Sequence, residues 1–272
     1  MKTSLSEIST VNATFVEDVA AYAAAGFDAI GIWESKLPDD DAANLALLDE
    51  HGLAVSNCVP LVPSFLPLGI PGLEGPTDVD ERFAALRASV RRLAVYRPEC
   101  VVCITGALGD RSEDSGRELV VDRLQHLAAV AREAGTRIGF EPLHPQDREI
   151  ASFVHTAADA AALLDEAGLN DVGLLIDTFN LWGDDGAVAW LQANGTRVTG
   201  FHVADQPGAG QTGRLLPGEA GARTRELVDA ARAGGWNGSV DVEIFSTEDG
   251  FWGLPLAEAT RQAHASAAAL LT

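Results

Sequence analysis

Eight short apolar runs alternate with eight alanine-rich stretches of helical period, which predicts an α/β fold: a closed (β/α)8 barrel, one domain over residues 1–272. Strict alternation calls for parallel strands joined by right-handed crossovers. A doubly wound open sheet shares that alternation, but no GxGxxG follows the first run, and eight repeats favour closure. The chain length of 272 also fits the roughly 250 residues of a typical barrel.

The first strand is expected at Ser4–Ile8, where apolar and polar residues alternate, and the first helix at Thr14–Ala24. Strands Ala29–Trp33 and Leu53–Val59 flank a helix at Ala42–His51, and a long helix at Val79–Tyr96 leads to the strand Cys100–Thr105. The remaining strands are Arg137–Glu141, Val172–Asp177, Val198–Val203 and Ser239–Ile244. Between and after them the helical period places Leu119–Ala134, Thr156–Gly168, Gly186–Ala193, Ala220–Ala233 and Leu256–Leu271. Glycines end several helices, as in AAAGFDAIGI and AREAGTRIGF, because glycine accepts the left-handed cap that alanine resists. Two loops stand apart. PLVPSFLPLGIPGLEGPTD carries Phe65, Leu66 and Leu68 and reads as a semi-rigid apolar flap or a packed irregular connection. ADQPGAGQTGRLLPGEA opens glycine-rich and flexible and stiffens at Pro217; its spacing matches neither a P-loop nor a dinucleotide fingerprint.

Composition narrows the function. With 47% hydrophobic and 22% charged residues the chain can bury a large core. Nineteen basic against 40 acidic residues give a formal charge of −21, which repels nucleic acid and anionic membranes and is read first as a solubility feature. Cys58, Cys100 and Cys103 lie in apolar runs, which fits a reducing cytoplasm. The Cys100/Cys103 spacing resembles a zinc motif, but a strand sends those side chains to opposite faces. MKTSLSEIST lacks the apolar core of a signal peptide, and no apolar run reaches membrane-spanning length.

Four runs carry a metal-capable side chain at or beside their C-terminal end: Glu141 in RIGFE, Asp177 in VGLLID, His202 in VTGFH and Glu243 in VDVEI. A lone strand-end carboxylate is usually a cap or an ion-pair partner. Four together on the face where barrel strands converge point to one divalent ion. Three carboxylates and one imidazole suit Mn²⁺ first, with Mg²⁺ or Co²⁺ as alternatives. Such an ion can hold two neighbouring oxygens of a hydroxy-carbonyl substrate and stabilise the enediolate formed on proton loss. Glu141 and Glu243, on different strands, are candidates for proton removal and return, giving epimerisation or isomerisation. His144, three residues after Glu141, is a candidate base or hydroxyl contact, or else a solvated loop residue. His51, His126, His155 and His264 are expected away from the pocket. Trp33, Glu34, Asn180, Trp182, Arg214 and Glu219 are candidate substrate contacts in loops on the active face, with Phe245 as a further flat wall. Phe251 and Trp252 are expected to close the pocket or to join subunits.

The strings EPLHP, LLIDTFNLW, GFHVADQ and VDVEIFS resemble the sugar phosphate isomerase/epimerase superfamily, the xylose isomerase-like TIM barrels. The likeness runs from GFDAIGIW to the last helix and is strongest over Arg137–Ser246. It implies a divalent ion on Glu141, Asp177, His202 and Glu243, with the two glutamates as acid–base pair. D-tagatose 3-epimerase-like members place a histidine where this chain has Asn180 and an arginine where it has Gly208, with Arg214 later, so substrate orientation is expected to differ. Relatives implied by the likeness include inosose dehydratases, 3-dehydroshikimate dehydratases and C-glycoside deglycosidases, which keeps a lyase open beside an isomerase. The implied substrate is a small ketose, aldose or polyol derivative. Apurinic endonuclease activity needs a multi-zinc cluster and further histidines, and is disfavoured here, as is a non-catalytic sugar-binding barrel. Homo-oligomerisation is a further expectation.

Overall fold

The computed structural model describes residues 1–208 and 213–272. Eight parallel strands close on one another in chain order: β1 (Lys2–Ser6), β2 (Ala29–Trp33), β3 (Ala54–Val59), β4 (Cys100–Cys103), β5 (Ile138–Phe140), β6 (Gly173–Asp177), β7 (Val198–Val203) and β8 (Ser239–Val242). The closing pair, β8 with β1, runs from Lys2 opposite Ser239 to Leu5 opposite Val242. Helices α1 (Phe15–Ala25), α2 (Asp41–His51), α3 (Val79–Leu93), α4 (Glu113–Ala134), α5 (Ala157–Glu166), α6 (Ala187–Asn194), α7 (Arg223–Ala233) and α8 (Leu256–Leu271) surround them. No helix among the described residues is long and apolar enough to cross a membrane.

The helices form where the sequence supplies both a face and a start. α1 opens with a capping box in which the Thr14 hydroxyl accepts the Glu17 N–H and the Glu17 carboxylate accepts the Thr14 N–H. Gly26 ends it at φ 96°, a left-handed conformation that costs glycine little. Leu86, Val90, Leu124, Leu127, Leu163 and Leu227 are fully buried in the layer between helices and strands. Burial of each such side chain stabilises the fold by about 1.5–3 kcal/mol before entropy is counted.

The barrel interior is built by pairing large residues with none. A Cβ at either Gly139 or Gly200 would lie 2.7 Å from Cys100 Sγ, so the thiol fills space that two glycines leave. Cys103 and Cys58 belong to the outer core and Cys100 to the inner one, as the alternation of a strand requires. All three are buried free thiols.

Several boundaries differ from the sequence reading. The first strand lies two residues earlier, because Glu7 turns its carboxylate back to accept the Trp33 N–H at 2.9 Å and opens a 3-10 turn over Glu7–Thr10. β4, β5 and β8 stop before Thr105, Glu141 and Glu243, leaving those residues at the mouth rather than in the ladder. α4 begins at Glu113, not Leu119, since the polar opening SEDSG hides its period while Ser112 caps it. α7 begins at Arg223, not Ala220, because Asp205 Oδ2 accepts the N–H groups of Gly218 and Ala220 at 2.9 and 2.8 Å and holds that segment in a turn. In the proline-rich loop Phe65 and Leu66 are fully buried, so its first half is packed connection, while Ile70 and Leu73 further on reach the barrel mouth. Residues 209–212 of the glycine-rich loop lie outside the described residues.

Candidate active site

Register brings the expected donors together. Asp177 on β6 is opposite His202 on β7, which is opposite Asp241 on β8, so the three side chains enter the barrel at one level. Glu243 follows Asp241 by two residues on the same face, and Glu141 stands just past β5. One donor atom each from Glu141, Asp177 and His202 lie within 4.8 Å of one another, and all three residues are buried. Glu243 stands beside this group: its Oε2 lies 3.3 Å from His202 Nδ1 and accepts a hydrogen bond from Arg214 Nη1 at 2.9 Å.

Arg214 is the countercharge. Its Nη2 lies 2.9 Å from Asp177 Oδ2, and its guanidinium is flanked by the rings of Phe179 and Phe245 at 4.6 and 4.9 Å. The glycine-rich loop carries it inward because Arg214 N–H bonds Phe245 O at 2.7 Å and Asp205 pairs with Leu215.

The donor set fits a divalent cation. Asp177 Oδ2 and both ring nitrogens of His202 are buried with no hydrogen-bond partner, a costly condition that a ligated ion would relieve at Asp177 and at one of the two nitrogens. The Arg214–Asp177 contact is thus a charge pair without hydrogen-bond alignment. Two carboxylates and one imidazole, those of Glu141, Asp177 and His202, could together hold a metal ion.

Burial and charge push the two glutamates apart. Desolvation raises the Glu141 carboxyl to about 8, outweighing the pull of His202. Burial acts on Glu243 too, but His202 and Arg214 outweigh it and hold that carboxylate down to about 2. Burial opposes a charge on His202, yet Glu243, Glu141 and Asp241 together raise it to about 10.

The cavity over these groups measures about 130 Å³. Trp33, Asn180, Arg214 and Phe245 line it, together with Glu141, His202 and Glu243. Asn180 Nδ2 donates to Glu141 Oε1 at 3.0 Å, and its Oδ1 accepts the His144 N–H at 3.3 Å. Other expected contacts stand back from the cavity wall. Glu34 is buried as a brace, its Oε2 accepting the Leu61 N–H at 2.9 Å. Trp182 is held through its carbonyl by Arg223, and Glu219 is exposed, its carboxylate accepting the Leu216 N–H at 2.9 Å. His144 Nδ1 accepts the Gln146 N–H at 3.2 Å, and its ring lies 6.2 Å from that of Phe179. His155, expected away from the pocket, is on this face after all: its Nδ1 lies 3.0 Å from the carbonyl oxygen of Leu143, a cavity residue. Trp252 packs behind Phe245, at a ring distance of 6.5 Å, and lines a separate 240 Å³ cavity.

Two site residues escaped the sequence reading. Asp241 is fully buried, 3.7 Å from His202 Nε2, and accepts from Asn57 Nδ2 at 2.7 Å. Gly31 makes the room, since a Cβ there would collide with the Asp241 carboxylate. The alternation in VDVE, with two acids on one strand face, was the available signal. Asp147 lines the cavity from the loop after EPLHP, and no spacing rule pointed to it.

Comparison with known proteins agrees with the barrel fold. Residues 19–270 match the profile of xylose isomerase-like TIM barrels. A D-psicose 3-epimerase of Enterocloster bolteae is 26% identical over 142 residues, 52% of this chain and 44% of the epimerase, so the match spans under half of that relative. A solved structure from Sinorhizobium meliloti 1021 superposes with a TM-score of 0.85 at 22% identity, covering 97% of this chain and 96% of that one. The IolI protein, solved with a bound zinc atom, gives 0.79 at 22% identity over 100% of this chain and 98% of its own. With nearly its whole length matched and its eight strands closed in order, the chain belongs to the xylose isomerase-like TIM barrel family.

Proposed function

We propose that this protein is a divalent-metal-dependent isomerase or epimerase that moves a proton at a carbon beside a carbonyl in a small sugar or polyol derivative. The observation that carries the proposal is the pair Glu141 and Glu243, which line one cavity together with His202 and reach it from different strands of the ring. Glu141, Asp177, His202 and Glu243 would hold the ion, Mn²⁺ in our assignment. When bound, the ion supplies positive charge opposite the enediolate that proton loss creates.

The chain's own groups supply the rest. Glu243, ionised at neutral pH, takes the proton, and Glu141, on another strand of the ring, hands one back after taking it from solvent through the oxygen not bonded to Asn180. Asn180 fixes the Glu141 carboxyl through Oε1, leaving the other oxygen to the cavity. Arg214, clamped between two rings, orients the substrate oxygens and keeps the carboxylates from repelling one another. The D-psicose 3-epimerase relative supports the isomerase class.

The test is solvent deuterium. With Mn²⁺ present, a turned-over ketose should gain one deuterium at the reacting carbon, and Glu243→Gln should cut the rate by at least about 100-fold. Turnover with no deuterium at carbon, or an unsaturated product, would replace this reading with another.

A further inference from the structure

The end of the barrel opposite the metal donors carries a second recess. Its lining includes Arg97 and Glu99 before β4, Arg137 at the foot of β5, and Trp236 and Gly238 leading into β8. Val101 of β4 pairs with Ile138 of β5, so the two arginines precede neighbouring strands.

Positive charge is left over here. In a chain of 19 basic against 40 acidic residues, most arginines are taken up by carboxylates, carbonyl oxygens or aromatic rings. Among the described residues the side chains of Arg97, Arg111 and Arg137 take no such partner, and Arg97 and Arg137 line this recess. Glu99, the carboxylate in the lining, is turned to β8, where it accepts the Ser239 N–H at 3.0 Å and the Ser239 hydroxyl at 2.6 Å. Arg97 is also the one described residue other than glycine with a positive φ, 51°, a conformation that crowds its Cβ. The backbone therefore gives no reason for an arginine at that position.

Trp236 adds a donor from the side of β8. It is 5% exposed and packs on Phe201 at a ring distance of 4.8 Å, yet its indole N–H takes no partner among the described residues. A buried tryptophan N–H normally finds an acceptor. A Cβ at Gly238 would lie 3.1 Å from Trp236 Nε1, so glycine there leaves the N–H uncovered.

We propose that this recess binds a phosphate group, free or as a small monoester, through the guanidiniums of Arg97 and Arg137 and the indole N–H of Trp236. Donors arriving from three strand feet suit four tetrahedral oxygens, whereas a single guanidinium fork satisfies a planar carboxylate. The formal charge of −21 turns away long polyanions and leaves small ones as the ligand. The site stands apart from the metal donors and does not depend on the proton-transfer chemistry.

Calorimetric titration of the full chain in buffer free of divalent metal tests it, with inorganic phosphate and glycerol 3-phosphate as ligands and malonate as the planar control. Phosphate should bind once per chain with a Kd of about 1 mM or below, as expected of two charge-assisted contacts. Arg97→Met and Arg137→Met should each raise that Kd at least about tenfold. Trp236→Phe, which keeps a ring against Phe201, should raise it at least about threefold. Arg111→Met removes the same charge from the loop after β4 and should leave the Kd unchanged, and Mn²⁺ uptake should be unchanged in all four variants. The tighter of the two phosphates identifies the source of the group. No saturation below about 20 mM, or malonate bound as tightly as phosphate, overturns the proposal. So does a Kd unmoved by the recess substitutions, or one moved as far by Arg111→Met.

Discussion

Of the residues at the barrel mouth, His202 has the most constrained surroundings. Its Nδ1 faces Glu243 Oε2 at 3.3 Å and its Nε2 faces Asp241 Oδ2 at 3.7 Å, so the two nitrogens have different duties. A metal-ligating imidazole gains basicity and a fixed orientation from a carboxylate behind it, and Asp241 stands there. Asp241→Asn should therefore weaken Mn²⁺ binding by about 10–100-fold, measured by titration, with the fold intact. Unchanged affinity would assign Asp241 to packing alone. Proton affinity at the same site sets a pH dependence. Below about 8 Glu141 carries a proton that an entering cation must displace, so Mn²⁺ affinity should rise with pH from 6 to 8, by up to about tenfold per unit from this one proton. His202, raised to about 10, adds to the slope in the same direction. A flat profile across that range would show that Glu141 is not a ligand.

At the scale of elements, the 3-10 turn after β1 is tied to α1 and β2 by a buried charge network. Lys36 Nζ pairs with Asp18 and donates to the carbonyls of Glu7 and Thr10 at 3.2 and 3.0 Å, while Thr10 Oγ1 donates to Asp18 Oδ1 at 2.7 Å. Burial raises the Glu7 carboxyl to about 8 even though Lys36 pulls it down. Removing the cation leaves Asp18 buried and unpaired, so Lys36→Met should cost about 3–5 kcal/mol in urea unfolding. A loss below about 1 kcal/mol would mean that water replaces the ammonium. This network also explains which parts of the chain were legible. Strands β2 and β7 and helix α8 match their expected ends because their apolar periods stop where polar residues begin. β1 did not, since Glu7 and Ile8 continue the alternation while a tertiary bond to Trp33 bends the backbone. The metal-capable side chains stood out because each lies at or near the end of an apolar run: Asp177 ends β6, His202 is next to last in β7, and Glu141 and Glu243 follow β5 and β8. The contacts of Glu34, Trp182 and Glu219 were not legible, because a loop residue's address on the active face does not fix where its side chain turns. Asp241 was overlooked beside Glu243 because it sits one layer deeper, inside the strand rather than at its end.

For the molecule as a whole, closure of the barrel is what turns four distant chain positions, from Glu141 to Glu243, into one site. The formal charge of −21 adds a general attraction for cations, and the buried donors of Glu141, Asp177 and His202, within 4.8 Å of one another, could gather it at one point. An ion bound by the folded chain alone adds about 2.7 kcal/mol of stability at 100 times its Kd. The most direct measurement is anomalous scattering from manganese in crystals grown with Mn²⁺. A single strong peak per chain is expected among the side-chain donors of Glu141, Asp177, His202 and Glu243, and it should vanish in Asp177→Asn. No peak there, or one that survives that substitution, would contradict the metal centre and the proton-transfer chemistry built on it.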